Sequence, residues 1–353
     1  MNGIFSRPAL QIAATYIGTV VGAGFASGQE VLQFFGYYGA KGLLGVAIAT
    51  VMFALFGIQI MRLGHRLKAR SHREVLIYLC GPSLGKFMDW IITLFLLGAT
   101  SVMLAGSGAI FSEHLHLPYW LGVATTIVLV VLTAFFGLQG IMAVNSLIVP
   151  LLIIFVTGIC GYSLLSHNHL AQTIAIYQPD LGVAPHWLLA SILYVAYNLI
   201  LTTAIFAPLG GKISDPRLLS AGGSLGGLTL GLLIFMLTLT VLIHYPAVAH
   251  YEVPILFIIS PFGLWIKILF TLVLWGEIFS TIIGDIFGLT ARLHQATGLP
   301  ALLLTGVCLA LATIITKFGF AKLVSVIYPL LGYISLIYIG ALILAPLRST
   351  KTG

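Results

Sequence analysis

Charged residues are scarce in this chain of 353 residues. Asp, Glu, Lys and Arg make up 7% of it and hydrophobic residues 59%, whereas soluble domains carry about 25% charged residues. The composition excludes an ordinary soluble domain. Apolar runs of about 20 residues, the length that crosses a bilayer as a helix, recur from end to end. The sequence therefore predicts an all-α integral membrane protein.

Cysteine is nearly absent. Cys80, Cys160 and Cys308 are scattered singly, which excludes a CxxC or Cys/His metal pattern. The sequence also lacks an HExxH motif, which disfavours an integral-membrane enzyme. The first residues lack the pattern of a cleavable signal, so we expect the first hydrophobic span to remain in the mature protein.

Ten transmembrane spans can be drawn within one domain covering residues 1–353. Each span is close to the length that a bilayer requires. They are residues 8–38, 41–64, 84–112, 118–137, 141–165, 187–211, 218–243, 263–292, 299–317 and 321–346.

The net charge of +7 is explained by orientation. If the N-terminus is cytoplasmic, twelve of the sixteen Lys and Arg residues fall on the cytoplasmic side, as the positive-inside rule expects. We therefore predict a multi-pass protein of the bacterial cytoplasmic (inner) membrane with both termini in the cytoplasm. The basic excess does not indicate nucleic-acid binding.

Two loops have apolar patterns. The stretch from Met61 to Gly81 predicts a short amphipathic helix at the cytoplasmic interface. Val253 to Ile259 is too short to span and is predicted to fold over an outer vestibule. Seven histidines are predicted to lie in the outer loops: His114, His116, His167, His169, His186, His244 and His250. The default interpretation is that they are solvated loop residues, and the alternatives are that they bind metal or sense pH.

The segment from Gly18 to Glu30, GTVVGAGFASGQE, is unusual for a membrane helix. Each interior glycine costs a helix about 1 kcal/mol relative to alanine. Gly18 and Gly22 form a GxxxG pair, which is typical of close helix packing. The small residues continue beyond one helical face and lead into Gln29 and Glu30. This pattern favours a discontinuous helix at a substrate or ion cavity.

Transporters built from inverted repeats should have a matching interruption in the second half. Span six brings Tyr194, Tyr197, Asn198, Thr202 and Thr203 to membrane depth. Asn198 is the predicted position of an unwound turn, and helix packing is the alternative role for the tyrosines. A five-plus-five inverted repeat, about 8–165 and 187–346, with helices 1 and 6 discontinuous, accounts for both features.

Span eight places oxygen ligands on one helical face. Glu277, Ser280 and Thr281 are spaced three and four residues apart. A hard cation needs several oxygens, which the carbonyls of Gly18 and Val21 could complete. The alternative for both hydroxyls is hydrogen bonding to the preceding turn of their own helix.

Glu30, Glu277 and Asp285 lie within spans, where a charge costs at least about 2.5 kcal/mol. Protonation of some carboxylates or the arrival of a cation would relieve this cost, so we expect a cationic or zwitterionic substrate, a coupling cation, or both. Glu30 is predicted to gate or contact substrate, and wetting by the outer vestibule is its alternative. Asp285 is predicted to form an inner gate with Arg7 or Arg292.

The run IGTVVGAGFASGQE, the ten spans and the polar span eight resemble the amino acid, polyamine and organocation transporter superfamily with the LeuT-like fold. VGAGFASGQE and the compact length resemble its YkvI-type bacterial membrane proteins. The resemblance implies substrate held between the breaks of spans one and six. It also implies sodium on the carbonyls of Gly18, Val21 and Glu277 and the hydroxyls of Ser280 and Thr281.

The predicted substrate pocket combines the break, span three and span six. Its residues are Gly22, Ala23, Gly24, Phe25, Glu30, Ser101, Ser107, Tyr194, Tyr197 and Asn198. Half-helix ends offer N–H dipoles to a carboxylate and C=O dipoles to an ammonium group. Phe25 could equally be a core residue.

The sequence thus predicts a secondary transporter that moves an amino acid or small organic amine together with sodium by alternating access. No cofactor is expected beyond this coupling ion, and membrane lipid surrounds the protein. Proton coupling through Glu30 or Glu277 is the alternative within transport. A ligand sensor or germinant-type receptor on the same scaffold is the alternative of another class.

Overall fold

The computed structural model describes residues 6–113, 115–166, 179–251, 253–318 and 320–349, and these residues are almost entirely helical. We number the α-helices α1 to α14 in chain order. They are α1 Arg7–Val20, α2 Ala23–Ala26, α3 Gln29–Phe34, α4 Gly39–Leu67, α5 His72–Cys80, α6 Pro82–Glu113, α7 Tyr119–Ala134, α8 Gly137–Ser166, α9 Trp187–Lys212, α10 Pro216–Ile243, α11 Pro254–Ile259, α12 Leu264–Thr297, α13 Ala301–Ile315 and α14 Phe320–Ser349.

Within the described residues, six segments are long and apolar enough to cross a membrane. These are residues 29–67, 82–112, 137–166, 187–212, 216–243 and 264–297. Shorter apolar helices occupy residues 119–134, 301–315 and 330–345. Large apolar side chains such as Leu44, Trp120, Phe136, Leu165 and Trp265 are exposed on this bundle. Such a surface is suited to lipid rather than water.

The first apolar segment is interrupted. α1 ends at Val20, and Val21 has extended backbone angles, φ −76° and ψ 120°. α2 begins two residues after Val21, and the chain turns again at Gly28, whose φ of 84° is a left-handed conformation that favours glycine. α3 then carries Glu30. The irregular backbone at Val21 leaves carbonyl groups of α1 without their helical partners.

The interruption predicted at Asn198 is wrong. α9 runs without a break from Trp187 to Lys212. The amide of Asn198 donates to the carbonyl of Tyr194, 2.9 Å away and one turn earlier, so this polar side chain is satisfied by its own helix. Thr203 likewise donates to the carbonyl of Leu199 at 2.6 Å. Polar residues at membrane depth therefore need no unwound turn here.

α10 packs against both α1 and α4 because glycines line two of its faces. A side chain at Gly222 or Gly226 would meet Ile12 and Tyr16 of α1. A side chain at Gly227 would meet the backbone of Ala54 in α4. Small residues let membrane helices approach this closely. This packing fixes α1 up to the point where the helix ends.

Short helices form in both loops, although a helix was predicted only for the first. α5 lies within the Met61–Gly81 stretch and begins with a capping box of Ser71 and Glu74. α11 lies within the Val253–Ile259 stretch, and the Ile255 N–H donates to the carbonyl of Ser27 at 3.1 Å. α11 therefore contacts the chain directly beyond α2.

The histidines predicted outside do not form a metal cluster among the described residues, which include His116, His186, His244 and His250. His114, His167 and His169 lie outside the described residues.

Candidate functional site

The end of α1 meets the middle of α12 through carbonyl and hydroxyl oxygens. The Ser280 hydroxyl donates to the Gly18 carbonyl at 3.1 Å. The Thr281 hydroxyl lies 3.0 Å from the Val21 carbonyl and 2.9 Å from the carbonyl of Glu277. The structure thus brings together the five residues of the predicted sodium site.

This oxygen cluster has the chemistry of a hard-cation site. Carbonyl and hydroxyl oxygens are neutral ligands that can satisfy a monovalent ion without a charged side chain. A hydroxyl that donates a hydrogen bond still has lone pairs, so it can turn and coordinate a cation. The alternative of bonding within the helix holds for Thr281, which also reaches the Glu277 carbonyl. Ser280 instead reaches across to α1.

Two buried polar side chains near this cluster have no hydrogen-bond partner among the described residues. Both carboxylate oxygens of Glu277 and both amide atoms of Asn145 are unpaired, and each side chain is fully buried. Asn145 of α8 packs against Gly18, where a Cβ would lie 2.6 Å from the Asn145 Cγ. The sequence reasoning missed Asn145. An amide in the middle of an apolar span was the available signal.

A cavity of about 30 Å³ adjoins the break. Of the predicted substrate residues, Gly22, Glu30, Tyr197 and Asn198 line it. Thr281 and Asp285 of α12 also face it, as does Tyr328 of α14, which the sequence reasoning missed. Two larger depressions, of about 310 and 540 Å³, lie away from the break.

Glu30 is a buried carboxylate in the wall of this cavity. Its side chain is 6% exposed, and the Tyr197 hydroxyl donates to Oε2 at 2.7 Å. Its Cδ also lies where a side chain at Gly24 would be, 2.6 Å from an ideal Cβ. Glu30 therefore lies between the backbone of α2 and Tyr197 of α9. The wetted-vestibule alternative does not fit this burial.

Five predicted substrate residues do not line the cavity. They are Gly24, Phe25, Ser101, Ser107 and Tyr194. The side chain of Ala23, a sixth, lies outside what the structure describes. Gly24 is covered by Glu30, and Phe25 is fully buried in the core. The Ser101 hydroxyl donates to the Leu97 carbonyl at 2.8 Å within α6.

Ser107 and Tyr194 belong to other clusters. The Ser107 hydroxyl lies 2.6 Å from that of Thr126 and accepts from the Trp275 indole at 3.0 Å. The ring of Tyr194 packs edge-on against Phe34 and Phe35, as well as other aromatic rings. Tyr194 therefore packs against aromatic neighbours, which was the alternative role considered for it.

The predicted inner-gate pairing of Asp285 is wrong. Arg292 pairs with Asp89 instead, its Nε lying 2.7 and 2.6 Å from the two carboxylate oxygens. Arg7 is exposed, and Asp285 Oδ2 has no partner among the described residues. Asp285 lies about two helical turns before Arg292, so the two side chains do not share the depth that pairing needs.

Two polar clusters join α5 to α12 at the end predicted to be cytoplasmic. In the first, His72 Nε2 lies 3.2 Å from the Asp89 carboxylate that Arg292 also binds. In the second, Gln295 donates to Glu74 at 2.8 Å and lies 2.8 Å from the Ser71 hydroxyl. Burial alone would raise the pKa of Glu74, but hydrogen bonds from Ser71, Gln295 and nearby backbone lower it overall.

Comparison with known proteins identifies the family. No family model matches the chain. The chain is 35% identical over 339 residues to the uncharacterized membrane protein YkvI of Bacillus subtilis, covering 95% of both chains. The chain belongs to the YkvI family of membrane proteins. It is also 29% identical to the uncharacterized protein YyaD of Bacillus subtilis over 94% of this chain and 95% of YyaD.

Solved structures show that this YkvI-family protein has the LeuT-like fold. MhsT in complex with L-phenylalanine matches with a TM-score of 0.71 and 17% identity, over 95% of this chain and 89% of MhsT. A Na⁺-coupled sialic acid symporter matches with a TM-score of 0.69 and 12% identity, over 96% of this chain and 90% of the symporter. At these identities the likeness concerns the fold.

Proposed function

We propose that this YkvI-family protein is a sodium-coupled secondary transporter of an amino acid or small organic amine. The observation that carries the proposal is the pairing of the Ser280 and Thr281 hydroxyls with the Gly18 and Val21 carbonyls at the end of α1. MhsT and the sialic acid symporter, which have this fold, are described with L-phenylalanine and with Na⁺ coupling respectively.

The helices can be grouped into ten spans in two inverted halves of five. The first half is α1 to α3 together, then α4, α6, α7 and α8. The second half is α9, α10, α12, α13 and α14. Each half of such a fold contributes one wall of a midplane site, and rocking of one part against the other exposes the site to each side in turn. Both termini then lie in the cytoplasm.

A thermal-shift measurement tests the ion site. A ligand that binds only the folded protein raises its unfolding temperature in proportion to the logarithm of ligand concentration. We expect sodium chloride to raise the unfolding temperature above that in potassium chloride at equal ionic strength. The double variant Ser280→Ala, Thr281→Ala should abolish the sodium-specific increase.

Thr271→Ala is the matched control. Thr271 is a buried residue of α12 whose hydroxyl donates to the Lys267 carbonyl of its own helix at 2.8 Å. It should leave the sodium-specific shift intact. A shift that survives in the Ser280 and Thr281 double variant would refute the ion site.

Transport itself is tested with proteoliposomes. An inward sodium gradient should drive saturable accumulation of the substrate, and a potassium gradient of equal size should not. Tight ligand binding with no accumulation under either gradient would favour the sensor or receptor alternative.

Proton coupling is the second candidate, because the Glu277 carboxylate is fully buried and has no hydrogen-bond partner among the described residues. Such a group is stable as the neutral acid and could exchange a proton during the cycle. Glu277→Gln keeps the shape of the side chain and its backbone carbonyl. Loss of pH-driven uptake in this variant, with the sodium-specific shift retained, would favour this candidate.

A further inference from the structure

The central cavity is bordered by two carboxylates from different helices. Glu30 projects from α3 and Asp285 from α12, and their side chains are 6% and 9% exposed. Glu30 accepts one hydrogen bond, from Tyr197. Asp285 lines the cavity and its Oδ2 is buried without a partner among the described residues. This atom is an unused acceptor beside an internal space.

The described residues that line the cavity include no Lys, Arg or His. Arg292, the basic residue that follows Asp285 on α12, is held by Asp89. An unpaired charge in such an environment is costly, and a cation that enters the cavity removes part of the cost. Any negative charge on Glu30 or Asp285 therefore has to be balanced by a cation that enters the cavity.

The backbone of α2, which follows the break, is already covered by a protein carboxylate. Glu30 lies against Gly24, and a side chain there would meet Glu30 Cγ and Cδ at 2.6 Å. A substrate carboxylate placed against this part of α2 would meet Glu30 at close range. Two like charges a few ångströms apart repel strongly away from bulk water. This position is thus unfavourable for the carboxylate of an amino acid.

The remaining walls suit a cation. The rings of Tyr197 and Tyr328 both line the cavity and stack with centroids 5.3 Å apart and an interplanar angle of 13°. The faces of aromatic rings attract ammonium groups. A volume of about 30 Å³ has room for about two water molecules. An ammonium head group is of similar size to a water molecule.

We propose that the substrate is a small aliphatic amine without a carboxylate, bound with its ammonium group between Glu30 and Asp285 in the cavity beside Tyr197 and Tyr328. The proposal rests on the transport function above and narrows its substrate class. A zwitterionic amino acid brings no net charge to the two carboxylates. One ammonium group together with one sodium ion balances both.

Matched pairs that differ only by a carboxylate test the proposal on the unmodified protein. Alanine is compared with ethylamine, and lysine with 1,5-diaminopentane, by thermal shift in sodium chloride. We expect the amine of at least one pair to reach half of its maximal shift at a concentration at least tenfold lower than its amino acid. An amino acid that binds as well as its amine in both pairs, or no shift with any of the four, would overturn the proposal.

Variants assign the effect to the cavity. Glu30→Gln keeps an acceptor for Tyr197 and removes the charge, and Asp285→Asn removes the charge of the second carboxylate. Each should weaken binding of the preferred amine at least tenfold. Asp180→Asn changes an exposed carboxylate and should leave amine binding unchanged. Unchanged amine affinity in both cavity variants would overturn the site.

The sodium-specific shift separates this proposal from the transport proposal. Neither cavity variant removes a ligand of the predicted sodium site, so both should keep that shift, which also reports that they are folded. A protein that accumulates an amino acid with sodium but ignores amines would retain the proposed transport function and refute the amine site. The matched-pair comparison decides the substrate class even if a variant fails to fold.

Discussion

Gly18→Ala should disrupt the contact between α1 and α8 on which the ion site depends. An added Cβ would lie 2.6 Å from the Asn145 Cγ and 3.2 Å from the Val149 Cγ2. Carbon atoms in contact are normally about 3.5–4.0 Å apart, so the Asn145 side chain would have to move by about 1 Å. Overpacking of this kind costs about 1–3 kcal/mol.

A matched alanine variant separates this clash from helix propensity. Replacing a helical glycine by alanine gains about 1 kcal/mol when nothing obstructs the new methyl group. Gly306 of α13 is such a position, because nothing lies within 4 Å of an ideal Cβ there. The free energy of unfolding of Gly18→Ala should therefore fall below that of Gly306→Ala by about 1–3 kcal/mol.

Unfolding temperature in detergent is the measurement, and a double-mutant cycle assigns the cause. Asn145→Ala removes the side chain that the new methyl group meets, so Gly18→Ala should cost little in that background. The sodium-specific thermal shift should also decrease in Gly18→Ala, because displacement of α1 moves the Gly18 carbonyl. Equal stability of Gly18→Ala and Gly306→Ala, or a cost unaffected by Asn145→Ala, would refute the reasoning.

Three further predictions concern the end of the bundle where α5 meets α12. Asp89→Asn should lower the free energy of unfolding by about 3–5 kcal/mol, because it leaves the buried Arg292 without its counter-charge; an unchanged unfolding temperature would contradict this. The lowered pKa of Glu74 means that its hydrogen bonds stabilise the fold fully above pH 4.5 and lose this effect as pH falls through the folded-state pKa. The unfolding temperature of Glu74→Gln should therefore depend less on pH below 4.5 than that of the unmodified protein, and identical pH profiles would argue against the network. His72→Gln keeps a polar group near Asp89 and should cost less stability than Asp89→Asn, as measured by the same thermal unfolding.

The sequence predicted the helical class and the position of the break because both follow from local composition. Glycines at 18, 22, 24 and 28 and a carboxylate at 30 all disfavour a continuous membrane helix. The spacing of Glu277, Ser280 and Thr281 likewise fixed one helical face. These features depend on residues within a few turns of each other.

The errors concern partners that are distant in the chain. Arg292 pairs with Asp89 across 203 positions, and no local pattern distinguishes that carboxylate from Asp285 as its partner. The polarity of Asn198 predicted a second break, but its amide is satisfied by Tyr194 of the same helix. A polar residue at membrane depth has several ways to be satisfied, and tertiary structure decides among them.

The residues that line the cavity were predicted only in part, because they too come together through tertiary structure. Glu30, Tyr197 and Asn198 line it because α3 and α9 meet beside the break. Ser101 and Ser107 are on the same helix, α6, yet Ser101 bonds within α6 and Ser107 bonds to Thr126 of α7. The contribution of Tyr328 depends on where α14 packs, which no local pattern encodes.

The ion pair of Asp89 and Arg292 links α6 to α12, and His72 and Gln295 bring α5 into the same assembly. Separating these helices would leave the Arg292 guanidinium and the Asp89 carboxylate buried without their partners. We expect α5, α6 and α12 to travel as one rigid body during the cycle, with sliding confined to contacts that hold no buried charge. A covalent cross-link between α5 and α12 should accordingly leave uptake intact. A cross-link that stops uptake would show that these helices move relative to each other during transport.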